Sequence, residues 1–175
     1  MVAERLVKEV MIPLTDYPHI PYWFSVRQAI AMVKAAAAEP HARMEPRFVL
    51  VFDEKYQLLG FVGLKEMLRG IEPRFLRRPE AAHFQGAQPL EMDPSLSLLW
   101  RDLFGRGCKE EAAKPVKDIM TPVRATVKAD DPLVKAAYTM VQADVEILPV
   151  MEDYKVAGIA RLEDIFQEIT KAVLE

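Results

Sequence analysis

The sequence predicts an α+β protein made of two copies of one small unit, and three observations carry that reading. A seven-residue opening, Val7-Lys8-Glu9-Val10-Met11-Ile12-Pro13, returns as Val116-Lys117-Asp118-Ile119-Met120-Thr121-Pro122. Each opening is followed by the periodicity of a helix with one apolar face, and each helix by two short apolar runs around a polar turn. A last helical pattern closes both copies. Several elements recurring in one order mark a duplicated unit more securely than any single motif.

The first helix of the second copy carries Leu133, Ala136, Ala137, Met140 and Val141, spaced i, i+3, i+4, i+7 and i+8, which puts them on one face. Asp131-Pro132 is its expected start, an N-cap followed by proline at the first helical position. In the first copy Val26, Ala29, Ile30 and Val33 form the same face after Ser25. The apolar runs Phe48 to Phe52 and Leu58 to Val62 flank Asp53-Glu54-Lys55, and Ile147 to Met151 and Val156 to Ala160 flank Glu152-Asp153. Runs this short around polar turns are β-hairpins. The closing helices present Leu64, Met67, Leu68 and Ile71 in one copy and Leu162, Ile165, Phe166 and Ile169 in the other. One hairpin with two helices is too small to stand comfortably alone. Pairing the copies face to face would bury both apolar sheet surfaces.

The chain divides into residues 4–70, the first repeat, 71–113, an insertion, and 114–175, the second repeat. In the insertion Leu90, Leu96, Leu98, Leu99, Trp100, Leu103 and Phe104 are concentrated. Asp93-Pro94 reads as a helix start and Gly105 to Gly107 as its end. That amphipathic helix must dock on the repeats, on a second copy of the chain or on another protein. Arg74, Arg77 and Arg78 beside it read as a solvated basic face.

Composition narrows the function classes. The 175 residues are 51% hydrophobic and 28% charged, with 7 Gly and 13 Pro, which excludes collagen-like, disordered and disulfide-scaffold chains. A net charge of −3 argues against nucleic acid or an anionic membrane as a partner. The single cysteine, Cys108, points to a reducing compartment and the cytoplasm, and reads as an incidental thiol. The first eleven residues lack the plan of a signal peptide, and no apolar run approaches the roughly 20 residues that span a bilayer. Dinucleotide, P-loop, zincin and nucleophile-elbow motifs do not occur, and His19, His41 and His83 have no metal-ligand spacing. The expectation is a chain that is not an enzyme, holds no metal and requires no cofactor.

Three blocks of the second copy, Val116 to Pro122, Ile147-Leu148-Pro149-Val150-Met151 and Gly158-Ile159-Ala160-Arg161-Leu162-Glu163-Asp164, together resemble the cystathionine-β-synthase (CBS) domain family. Its members usually occur as tandem pairs called Bateman modules. The resemblance implies two β-α-β-β-α units packed through their sheets with pseudo-two-fold symmetry, assembled as a homodimer. It also implies a regulatory module that binds AMP, ADP, ATP or S-adenosylmethionine in the cleft between repeats and acts on an unknown protein target. The alternative is a ligand-free structural or interaction module that works through homodimerisation.

The family's ligand motif is Gly-h-h-Thr/Ser-x-x-Asp, with h apolar. It sets a hydroxyl and a carboxylate at a helix N-terminus, where free N–H groups suit a phosphate and the carboxylate can accept both ribose hydroxyls. Here Asp164 matches the carboxylate and Arg161 stands at the hydroxyl position. Arg161 is left with two readings, a phosphate partner or a side chain that blocks the cleft. The resemblance assigns the adenine side to Val123, Thr126, Val127, Leu148, Pro149 and Val150, although each taken singly reads first as core packing. In the first copy Gly63 and Glu66 replace the hydroxyl and the acid, leaving a degenerate second site, and Val49 stands where the second copy has Pro149.

Overall fold

The computed structural model describes residues 5–38, 46–74 and 100–174. In chain order these form β1 (Ile12–Pro13), β2 (His19–Pro21), α1 (Val26–Ala37), β3 (Phe48–Phe52), β4 (Leu58–Gly63), α2 (Leu64–Ile71) and α3 (Trp100–Glu111). There follow β5 (Thr121–Pro122), β6 (Val127–Lys128), α4 (Leu133–Ala143), β7 (Ile147–Glu152), β8 (Lys155–Arg161) and α5 (Leu162–Leu174). The expected α+β duplication is present: each copy contributes a helix, an antiparallel hairpin and a closing helix.

Local chemistry explains most boundaries. Ser25 caps α1, its Oγ accepting from the Gln28 N–H at 3.2 Å while Gln28 Oε1 accepts from the Ser25 N–H at 2.8 Å. This reciprocal pair satisfies two otherwise orphaned donors. The start of α4 differs from expectation. Pro132 holds the cap position, and Asp131 instead accepts from the Lys128 N–H and from Lys135 Nζ, both at 2.8 Å. Its carboxylate closes the turn before the helix, which leaves it unable to cap. Asp144 ends α4 in the left-handed region at φ 52°, a conformation Asp tolerates better than most residues.

Two four-stranded sheets result, in the orders β2-β3-β4-β5 and β1-β8-β7-β6. The leading strands are exchanged. From the first copy, β1 pairs antiparallel with β8 of the second, Ile12 opposite Ile159. From the second copy, β5 pairs antiparallel with β4 of the first, Phe61 opposite Thr121. Val7 accordingly lies in the helix-side core of the second repeat, with Leu133, Met140, Leu148 and Ile165. Val116 lies in that of the first, with Ile20, Val49, Val51 and Met67.

The exchange explains two glycines. A Cβ on Gly60 would run into the Thr121 carbonyl oxygen, and one on Gly158 into that of Ile12, in each case well inside contact distance. Only glycine lets the partner repeat's strand lie this close.

The third core lies between the two sheets, as the face-to-face expectation requires. Leu50, Phe52 and Phe61 of one sheet meet Ile147 and Ile159 of the other, and Tyr17 is buried among them. Ladder register also corrects the alignment of the copies. Pro149 pairs with Ile159 and Leu50 with Phe61, so Leu50, not Val49, is the counterpart of Pro149. Two uninterrupted apolar runs offer no local mark by which to set that register.

Helix α3 runs beside α2 and is anchored where Arg27 N–H donates to the Ala112 carbonyl at 2.9 Å. It passes through Gly105 and Gly107 to Glu111, so the expected glycine stop is not used. Each interior glycine costs about 1 kcal/mol relative to alanine, and continuation to Glu111 allows that residue to pair with Arg74 at 3.1 Å. The expected start at Asp93-Pro94 lies outside the described residues, as do Arg77 and Arg78. Cys108 is half-buried, and burial pushes its thiol up.

Candidate functional site

Strand exchange decides which functional side chains meet. The closing-helix motif of each repeat faces the segment after the Met-x-Pro of the other. For the first repeat, this brings Gly63, Lys65 and Glu66 at the start of α2 together with Thr121 to Ala125 and the turn Asp144 to Ile147 around a cleft of about 570 Å³. Glu66 Oε2 accepts from the Gly63 N–H at 3.0 Å. The longer acid thus reaches back and caps its own helix. A Cβ on Gly63 would stand 2.7 Å from that oxygen and 2.9 Å from the Phe48 ring, so the missing hydroxyl residue and the longer acid go together. Arg47, Lys65 and Arg124 also line the cleft. Among the described residues none of the three has an ion-pair partner.

In the second repeat the matching acid is already engaged within the chain. Arg161 grips Asp164 in a bidentate pair, Nε to Oδ2 at 2.6 Å and Nη2 to Oδ1 at 2.7 Å. Its remaining nitrogen reaches Glu163 at 2.6 Å. Burial alone would lower the Arg161 pKa, but the carboxylates of Asp164 and Glu163 outweigh it and secure the charge. Tyr17, 2% exposed, lies within the field of all three groups. Burial drives its phenol well above the ordinary value, against the opposing pull of the Arg161 guanidinium.

Tyr17 owes its place to a longer connection. Ile20 pairs with Val51 as Val127 pairs with Val150. Between proline and sheet the first copy therefore has residues 14–18, where the second has only 123–126. The extra length forms a helical turn over Leu14–Asp16 and turns Tyr17 inward.

The side chains assigned to the adenine side divide between two environments. Strand alternation sends Leu148 and Val150 into the helix-side core with Val127. Val123, Thr126 and Pro149 line a different cleft, of about 460 Å³, between the two hairpin turns. Neither Arg161 nor Asp164 lines that cleft. Sequence reasoning missed Arg47, Lys65 and Arg124. Their signal was present, since Lys65 is inside the first repeat's motif and Arg124 directly follows the second Met-x-Pro, but it appears only when motif and opening are taken from opposite copies.

Two half-modules that share an inter-sheet core and exchange their leading strands define a tandem pair with a lateral cleft walled by both repeats. Residues 116–171 match the family model described as CBS domain. The second repeat is thus similar to a CBS domain, and the chain as a whole has the fold of a tandem CBS pair.

CBSX2 from Arabidopsis thaliana is similar in structure at 18% identity and TM-score 0.62, with 97% of each chain covered. Its complex with AMP matches at 18% identity and TM-score 0.60, covering 96% of this chain and 98% of that one. The CBS domain of a bacterial CNNM/CorC family Mg²⁺ transporter in complex with ATP matches at 17% identity and TM-score 0.60, covering 97% and 89%. Comparison with curated proteins finds no match. No helix among the described residues is long and apolar enough to cross a membrane.

Proposed function

We propose that this chain is a non-catalytic regulatory module that binds an adenine nucleotide in the cleft of about 570 Å³ at the start of α2. The observation that carries the proposal is the set of three cations, Arg47, Lys65 and Arg124, which face that cleft without an ion-pair partner among the described residues. They supply what a phosphate needs, while Phe48, Phe61 and Ile147 offer the apolar surface a base needs. The volume lies within the 300–1,000 Å³ usual for small-molecule sites. Complexes of similar folds with AMP and with ATP support the ligand class. Asp164 is the weaker candidate, because a ribose would have to displace Arg161 from both carboxylate oxygens.

Signal transmission follows from the cleft's construction. Its walls come from both repeats, so a ligand that fits one relative orientation better shifts the population toward it by its differential affinity. Calorimetric titration with AMP, ATP and S-adenosylmethionine tests the assignment. Saturable binding is expected, weakened about ten- to a hundredfold in Lys65→Ala/Arg124→Ala and little changed in Asp164→Ala. The reverse ranking would move the site to Asp164. No binding of any of the three would favour the ligand-free interaction module.

That second reading has an observation of its own. On α4 Val134, Tyr138 and Val141, and on α5 Phe166 and Val173, are all more than half exposed. These adjoining helices offer an apolar face suited to a second copy of the chain, and homodimerisation is compatible with either reading. Light scattering should give a dimer that Val141→Glu/Phe166→Glu converts to monomer; an unaltered size would exclude this face.

A further inference from the structure

Two tyrosines occupy backbone positions that tyrosine disfavours. Tyr56, in the turn of the first hairpin, has φ 61°, and Asp153 and Tyr154 in the second have φ 44° and 65°. Positive φ costs an L-residue on the order of 1–2 kcal/mol, and such turns normally take glycine or asparagine. Tyr154 is 99% exposed, so no burial within the chain offsets the cost. Tyr56 stacks on Phe52 with ring centroids 4.7 Å apart, and its hydroxyl lies 2.8 Å from His19 Nε2.

Both rings border the cleft of about 460 Å³ between the hairpin turns. Its lining is quasi-symmetric. Leu14 and Val123 each follow a Met-x-Pro, Lys55 lies in the first hairpin's turn, and Lys155 opens β8 directly after the second. Among the described residues the charged groups that line it are these two lysines, and no acid does. Neither lysine has an ion-pair partner among the described residues. In a chain of net charge −3, a purely cationic cleft rimmed by two aromatic rings is a local reversal of the overall balance.

We propose that this cleft is a second ligand site, separate from the one at the start of α2, for a small anion with a planar aromatic body. Lys55 and Lys155 neutralise the anion. Leu14, Val123 and Pro149 receive one face of the ring, and Tyr154 folds over the other, which explains an aromatic side chain at a strained, solvent-facing position. The site does not depend on the nucleotide reading, since it shares no lining residue with the first cleft.

The probe is 2-naphthoate, titrated calorimetrically against the full chain, with neutral 2-naphthalenemethanol as its uncharged counterpart. Saturable 1:1 binding is expected, with the alcohol about tenfold weaker or worse. Lys55→Ala/Lys155→Ala should weaken 2-naphthoate by a similar factor, and Lys65→Ala/Arg124→Ala should leave it unchanged. Tyr154→Gly should weaken binding and yet raise Tm, because glycine accepts the turn without strain. Absence of saturable binding would overturn the proposal. So would equal affinity for the alcohol, sensitivity to Lys65 and Arg124 in place of Lys55 and Lys155, or a Tyr154→Gly chain that binds as before.

Discussion

Gly60 and Gly158 stand at the start of the stretches that align with the family's ligand motif, yet the structure gives both a packing role. Each leaves room for a carbonyl of the strand arriving from the other repeat. Alanine at either place must push backbone against backbone, so Gly158→Ala is expected to cost about 1–3 kcal/mol, the range for overpacking. Gly105 is the contrasting case, interior to α3 with open space where a Cβ would stand. Gly105→Ala should stabilise by about 0.5–1 kcal/mol through helix propensity alone. Urea denaturation of the two variants checks both signs. At this scale the sequence is a partial guide. Asp164 is recognisable from its motif, but that Arg161 holds both its oxygens depends on a rotamer, which no motif specifies.

Helices and hairpins are legible in the sequence because their signals are local. The face of α1 and the alternation of β7 repeat within a few residues, and Ser25 announces its helix directly. Where a leading strand goes is not legible. The openings at Val7 and Val116 are nearly alike, and nothing nearby in sequence tells either which sheet it will join. The candidate site is hidden for the same reason, since its cleft combines the motif of the first copy with the opening of the second. Strand exchange gives an element-level prediction. Val7 is fully buried in the second repeat's core, and Val7→Ala removes two methyl groups at a cost of about 2–3 kcal/mol. In hydrogen exchange the lost protection should appear first in β7, β8 and α4, more than 100 residues away in sequence. Loss confined to β3 and β4 would contradict the exchanged topology.

At the scale of the whole molecule, a unit in sequence is not a unit in space. A fragment of residues 114–175 contains β6, β7 and β8 but lacks β1, so β8 presents an open edge, and the core loses Val7. The inter-sheet surface around Ile147 and Ile159 is uncovered as well. Such a fragment should melt without a cooperative transition or self-associate through its exposed sheet. Circular dichroism with sedimentation checks this, and a cooperatively folding monomer would show that the exchange is dispensable.

The same interlock orders events during synthesis. Residues up to Ile71 complete the first repeat's helices and hairpin, but its sheet still lacks β5 and its core still lacks Val116. On the ribosome the first half therefore waits, with one edge open, until Pro122 has left the exit tunnel. Residues 72–115 thus set a delay as well as a distance, and the length of that stretch governs how long an unfinished sheet is exposed to other nascent chains.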